Sequence, residues 1–164
     1  MIKALGERMG QFPAVVVQPA NPNDALEILN GQWDPAALDA WLDGYLAQRS
    51  IDPDQVHLVG FSRGGIGTWE WATASPKRFA SVTTVAGIGN PLFAPRLART
   101  PCWLFCGERD DDFFYLGRAF ADALRATGTE VHWTPLPATG HSEAVPKALT
   151  PELFAWMLSK RRTP

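Results

Sequence analysis

Residues 55–70 read QVHLVGFSRGGIGTWE, an apolar run with two valines that passes directly into Gly60-Phe61-Ser62-Arg63-Gly64-Gly65. A polar Ser between glycines, where a buried strand ends, has two readings. A glycine-rich turn with a capping Ser accounts for the glycines alone. A nucleophile accounts for the whole string, because Gly60-Phe61-Ser62-Arg63-Gly64 fits G-x-S-x-G. In that motif a strand turns sharply into a helix, the turn strains the nucleophile's backbone, and the hydroxyl is lifted clear of the sheet. Small residues two before and two after it avoid clashes between backbones. The next amide, that of Arg63, then points from a helix N-terminus at a developing oxyanion.

Outward from this stretch, short apolar runs alternate with helical ones. FPAVVVQP (12–19), a valine run bounded by prolines, predicts a buried strand. Asp34 and Pro35 form an N-cap and N1 pair opening PAALDAWLDGYLAQ, where Leu38, Trp41, Leu42 and Tyr45 recur at helical spacing. QVHLVGF is a second strand, IGTWEWATA a helix, FASVTTVAG a third strand and PCWLFCG a fourth. FFYLGRAFADALRATG is an amphipathic helix ended by Gly128 as its C′ residue. EVHWTPL is a fifth strand, and Pro151 opens a last helix. Such alternation predicts one α/β domain over residues 1–164, a three-layer α/β/α sandwich with a mostly parallel sheet. Ligands of such sheets sit beyond the carboxyl ends of the strands, so the members of a site, however far apart in sequence, should each follow a strand end.

The chain of 164 residues is 46% hydrophobic with a net charge of −2, which suits one soluble globular domain. So balanced a charge gives no electrostatic case for nucleic acid or an anionic membrane. The Lys160-Arg161-Arg162 run is expected to be a solvated helix end opposing the macrodipole. MIKALGERMG has no continuous apolar stretch of the kind a secretory signal carries, and no run approaches the roughly 18 residues of a spanning helix. Cys102 and Cys106 fall four steps apart on one predicted strand, about 13 Å and beyond disulfide reach. They read as small buried thiols in a reducing compartment, so the cytoplasm is expected.

A nucleophilic Ser needs a base. Of three histidines, His57 and His132 lie inside predicted strands, whereas His141 stands in PLPATGHSEAVP, a loop after the fifth strand that can reach across the strand ends. The acid should follow the fourth strand, where CGERDDDF offers four carboxylates. Asp110, three residues beyond Gly107, ranks first and Asp111 second. Asp111 and Asp112 suit the cap of the next helix, and Glu108 faces solvent. The order Ser62, Asp110, His141 is that of α/β-hydrolases, and the chemistry expected is acyl transfer. Trp33, in the loop before the first helix, and Phe61, inside the elbow, are candidate substrate contacts. GFSRGGIG is not G-x-G-x-x-G, and no Cys/His pairing suits zinc, so neither cofactor nor metal is expected.

With these residues in place, the chain resembles the α/β-hydrolase esterases of the phospholipase/carboxylesterase and poly(3-hydroxybutyrate) depolymerase-like group. FPAVVVQP, Trp33, IDPDQVHLVGFSRGGIGTWEWA, SPKRFASVTTVAG, PCWLFCGERDD and PATGHSEAVP follow that family's order from about Phe12 to Arg162. The resemblance implies Ser62, Asp110 and His141 as a triad acting on small-molecule esters. The sequence departs from the family twice. Cys106 stands where the family usually has a His, a change expected to affect local packing. More seriously, no HG-x-G loop precedes Ser62, so the second oxyanion-hole amide and the strand that carries it are missing. An N-terminally shortened chain, direct pairing of the 12–19 strand with the elbow strand, or a homodimer completing the sheet would each meet this. Altered pairing or dimerisation is the favoured expectation. The competing expectation is a non-catalytic hydrolase-fold protein that serves as a binding or assembly subunit.

Overall fold

Asp34 opens the first helix of the computed structural model, which describes residues 14–19 and 33–162. Helix α1 (Pro35–Ala47) begins where the Asp34 carboxylate accepts from the amides of Ala36 and Ala37 at 2.9 and 3.2 Å. Those are two donors that a helix start leaves without intrahelical partners. After a 3₁₀ turn (Pro53–Gln55) come β1 (His57–Phe61) and α2 (Arg63–Ala74). Then follow β2 (Ser81–Val85), a 3₁₀ segment (Pro91–Leu97), β3 (Cys102–Gly107) and α3 (Asp111–Ala126). Gly128, at φ 81°, turns the chain just past the end of α3, in a conformation that a Cβ would disfavour. β4 (Val131–Leu136), α4 (Ala144–Ala148) and α5 (Pro151–Leu158) complete the order, and the Thr150 hydroxyl caps α5.

The four strands are parallel in the order β1-β2-β3-β4. Side chains alternate across the sheet, as the period of two requires. Val82, Cys102 and Leu104 join Leu42, Trp69, Phe79, Leu97, Phe120 and Leu124 in a core under α1, α2 and α3. Val85, Trp103 and Phe105 face the other way, into a core with Leu136, Leu149, Leu153, Phe154 and Met157 under α4 and α5. The sandwich therefore has the three layers expected. Cys102 and Cys106 are both buried free thiols. Among the described residues no helix is long and apolar enough to cross a membrane.

Two sequence expectations are corrected. Residues 14–19 form no strand, and Val15, Val16 and Val17 are 61, 44 and 38% exposed; residues 12 and 13 lie outside the described part. Branched apolar residues favour a strand only where a neighbouring ladder and a packed face receive them. Among the described residues β1 pairs with β2 alone, so residues 14–19 do not pair with the elbow strand. That same edge of β1 is the one the homodimer expectation concerns. The Lys160-Arg161-Arg162 run, in turn, is more than a solvated helix end. Lys160 binds Glu130 at 2.8 Å, Arg161 binds Asp52 at 2.9 Å, and Arg162 binds Asp54 at 2.8 Å. The Arg162 amide also donates to the Asp54 carbonyl at 2.8 Å. α5 ends beside the acids that precede β1, a proximity that only the fold creates. Burial alone would raise the Glu130 carboxyl, but hydrogen bonds from Lys160, Trp156 and His132 outweigh it and bring the pKa down to about 2.

His57 gives this end of the sheet a pH dependence. Its Nδ1 lies 2.8 Å from the Ser81 hydroxyl, its Nε2 has no partner among the described residues, and burial holds the imidazole below its usual pKa. Unfolding frees the ring to take up a proton below about pH 6.5, so there the unfolded chain binds more protons than the native one. Stability must therefore fall with pH through that range. The expected result is a thermal midpoint that drops from about pH 7 to about pH 5, with a shallower slope in His57→Gln. Equal slopes in circular-dichroism melts of the two proteins would refute this origin.

Candidate active site

Each strand of the sheet delivers an unusual residue at its carboxyl end. Among the described residues the non-glycine positions with positive φ are Ser62, Ala86, Asp111 and Ala138, which follow β1, β2, β3 and β4 respectively. Conformations of this kind cost about 1–3 kcal/mol each and persist where the surroundings enforce them, often at functional sites.

Ser62 has φ 55° and ψ −122°. It is held there between its own amide, which donates to the Val85 carbonyl at 3.0 Å, and its carbonyl, which accepts the Ile66 amide at 3.0 Å. The serine is the N-cap of α2 but makes no side-chain cap bond, so its hydroxyl is left for other partners. The amide of Arg63 lies in the first turn of α2, at the positive end of the helix dipole. The two motif glycines differ. A Cβ at Gly60 would overlap the Gly64 carbonyl and the Thr68 hydroxyl, whereas a Cβ at Gly64 would meet nothing within 4 Å among the described residues. The steric argument for small residues on both sides of the serine is thus corrected to Gly60 alone.

Asp110 and His141 come to Ser62 from the next strand ends. β3 leaves the sheet at Gly107, and the Asp110 amide turns back to the Gly107 carbonyl at 3.1 Å. The turn is tied to the histidine loop by the Arg109 amide, which donates to the Thr139 carbonyl at 3.0 Å, and by Glu108, which accepts the Ala138 amide at 3.2 Å. Gly107 permits this approach, because a Cβ there would overlap the Thr139 carbonyl. Lys147 anchors the same loop through the buried Thr139 hydroxyl at 2.6 Å. The outcome is a chain of contacts across 79 residues of sequence. His141 Nε2 lies 2.8 Å from Ser62 Oγ, and His141 Nδ1 lies 2.9 and 2.8 Å from the two oxygens of Asp110. Asp110 is 8% exposed, so its contact with the imidazole is shielded from water on the acid's side. Of the four carboxylates after β3, this one reaches the ring. Asp111 and Asp112 lie in the first turn of α3, where negative charge complements the dipole.

Phe61 packs its ring 5.0 Å from that of His141, and Phe113, which the sequence reading missed, lies 4.8 Å away. Phe113 stands beside the acid motif at the start of an amphipathic helix, where nothing local marks it off from the helix's other apolar residues. Trp33 instead lies against α2, where a Cβ at Gly67 would overlap its indole. His57 and His132 are both away from Ser62, with Ser81 and Glu130 as partners.

The sequence profile described as alpha/beta hydrolase fold matches residues 21–146. The chain belongs to this family. The parallel four-stranded sheet of the described residues, flanked by helices, is consistent with that fold. Among solved structures, a thermostable esterase is similar with a TM-score of 0.73 and 24% identity, over 77% of this chain and 36% of its own. SOBER1 of Arabidopsis thaliana matches at 0.62 and 21%, over 76% of this chain and 61% of its own. Acyl-protein thioesterase 2 of Zea mays matches at 0.59 and 21%, over 76% and 64%. The chain thus spans less than two thirds of the length of these proteins. No curated protein matches it.

Proposed function

We propose that this α/β-hydrolase-fold chain is a serine hydrolase that cleaves small carboxylic esters through an acyl-enzyme. The observation that carries the reading is His141, whose one nitrogen lies 2.8 Å from Ser62 Oγ while the other contacts Asp110. In the reaction Ser62 Oγ attacks the ester carbonyl carbon as His141 Nε2 takes its proton, and Asp110 holds the ring and offsets the imidazolium charge. The tetrahedral oxyanion faces the amide of Arg63. Its collapse expels the alcohol, which leaves with the proton from His141. Water, deprotonated by the same imidazole, then attacks the acyl-serine and releases the acid. Phe61 and Phe113 supply an apolar wall to the imidazole and to the group bound beside it. The esterase and thioesterase descriptions of the similar structures agree with this chemistry.

A second reading, a weakly active or non-catalytic binding subunit, is favoured by one observation: the described sheet has no strand beyond β1 from which a second oxyanion amide would come. Loss of one such donor costs about 10²–10³ in rate, roughly 2.7–4 kcal/mol. The two readings separate on a fluorophosphonate probe. Stoichiometric labelling of Ser62, together with turnover of p-nitrophenyl acetate or butyrate, is the expected result. Folded protein that neither labels nor turns over these esters would leave the binding-subunit reading standing.

A further inference from the structure

Asp110 has an unusual second neighbour. Its carboxylate is buried at the N-cap of α3, yet it makes no side-chain cap bond to the helix amides. Apart from His141, the side-chain donor on it among the described residues is the thiol of Cys106, whose Sγ lies 3.7 Å from Oδ2. Cys106 sits on β3 four residues before Asp110 and is itself buried. Burial first, and then the charge of and hydrogen bond to Asp110, push the thiol up to about 12. At neutral pH it therefore carries its proton and can only act toward the carboxylate as an S–H donor. The sequence comparison suggested that Cys106 affects local packing alone; its sulfur on the acid gives it a chemical role.

We propose that Cys106 is a positioning residue that acts through Asp110. Its thiol competes with the imidazole for Oδ2, which lies 2.8 Å from His141 Nδ1 against 2.9 Å for Oδ1, and so sets how strongly Asp110 binds the Nδ1–H of His141. This rests on Asp110 as the partner of His141. A buried carboxylate with two donors divides its charge between them, and one that loses a donor concentrates it on the other. The Asp110–His141 bond should then tighten when the thiol is removed, whatever fills its space.

The readout is the low-field proton resonance of His141 Nδ1–H, which needs no turnover and reports the strength of that bond. In Cys106→Ala and in Cys106→Val the resonance is expected to move to lower field by a similar amount. The two variants share the loss of the donor but differ in the cavity they leave. Cys106→Ser, which keeps an O–H donor, should stay closer to the unmodified protein than either. A resonance unmoved in Ala and Val, or moved in Ala alone, would overturn the proposal, the second result assigning Cys106 to packing. Asp110→Asn tests the supporting reading separately and should abolish the resonance. Its persistence there would remove Asp110 as the histidine's partner, and this proposal with it. Circular dichroism of each variant confirms that the spectrum is that of folded protein.

Discussion

Ser62→Ala is expected to lower turnover of p-nitrophenyl butyrate by about 10⁴-fold or more, with the far-ultraviolet spectrum unchanged. The substitution keeps the Cβ at the elbow and removes only the oxygen that lies 2.8 Å from His141 Nε2. His141→Ala should be of similar severity, because the hydroxyl at neutral pH is a poor nucleophile without a base. The two losses should not multiply. Residues that act as one unit fail together, so the double variant should be no slower than Ser62→Ala by more than a few-fold. Turnover in Ser62→Ala within a few-fold of the unmodified protein would end the assignment. Multiplying effects in the double variant would show that the residues act independently.

Gly60→Ala carries the largest expected effect on stability. The added carbon would press on the Gly64 carbonyl and the Thr68 hydroxyl, both fixed in the first two turns of α2. Backbone cannot swing aside as a flexible side chain can, so the cost is about 3 kcal/mol or more. For a chain of this size that is a fall of roughly 6–12 °C in thermal midpoint. Gly64→Ala is the matched control. It lies in α2, meets nothing among the described residues, and should be neutral or stabilising by up to about 1 kcal/mol through helix propensity. Equal midpoints for the two variants would contradict the steric account of the elbow.

The three residues that the structure brings together at the candidate site were legible because each was marked locally. Ser62 stood between glycines at a strand end, His141 in a loop rich in proline and glycine, and Asp110 just beyond the glycine where a strand stops. Turn chemistry depends on a few neighbouring residues, so the sequence states it directly. What failed depended on distant partners. The valines of 15–17 describe a surface that would pack well against a sheet, but not whether a sheet edge is there to receive it. Gly64 fitted the motif, yet among the described residues a Cβ there would meet nothing within 4 Å. Arg161 and Arg162 looked like an ordinary charged helix end until the fold brought Asp52 and Asp54 beside them. Cys106 is an apolar strand residue by every local measure, and only the return of the chain at Asp110 puts a carboxylate on its sulfur. Trp33 was legible as exceptional but not in direction, since its indole lies over Gly67 on α2.

The pairing of Arg162 with Asp54 joins positions 108 residues apart. Closing so long a loop costs little more entropy than closing one half its length, so even modest contacts can hold it shut in an already folded domain. The pair acts as a latch in the geometric sense, tying the segment that follows α5 to the segment that leads into β1. Because the latch is ionic and near the surface, dissolved salt weakens it, while the buried cores are hardly affected. Added salt is therefore expected to loosen the contact before the amino end of β1, the end of that strand away from Ser62.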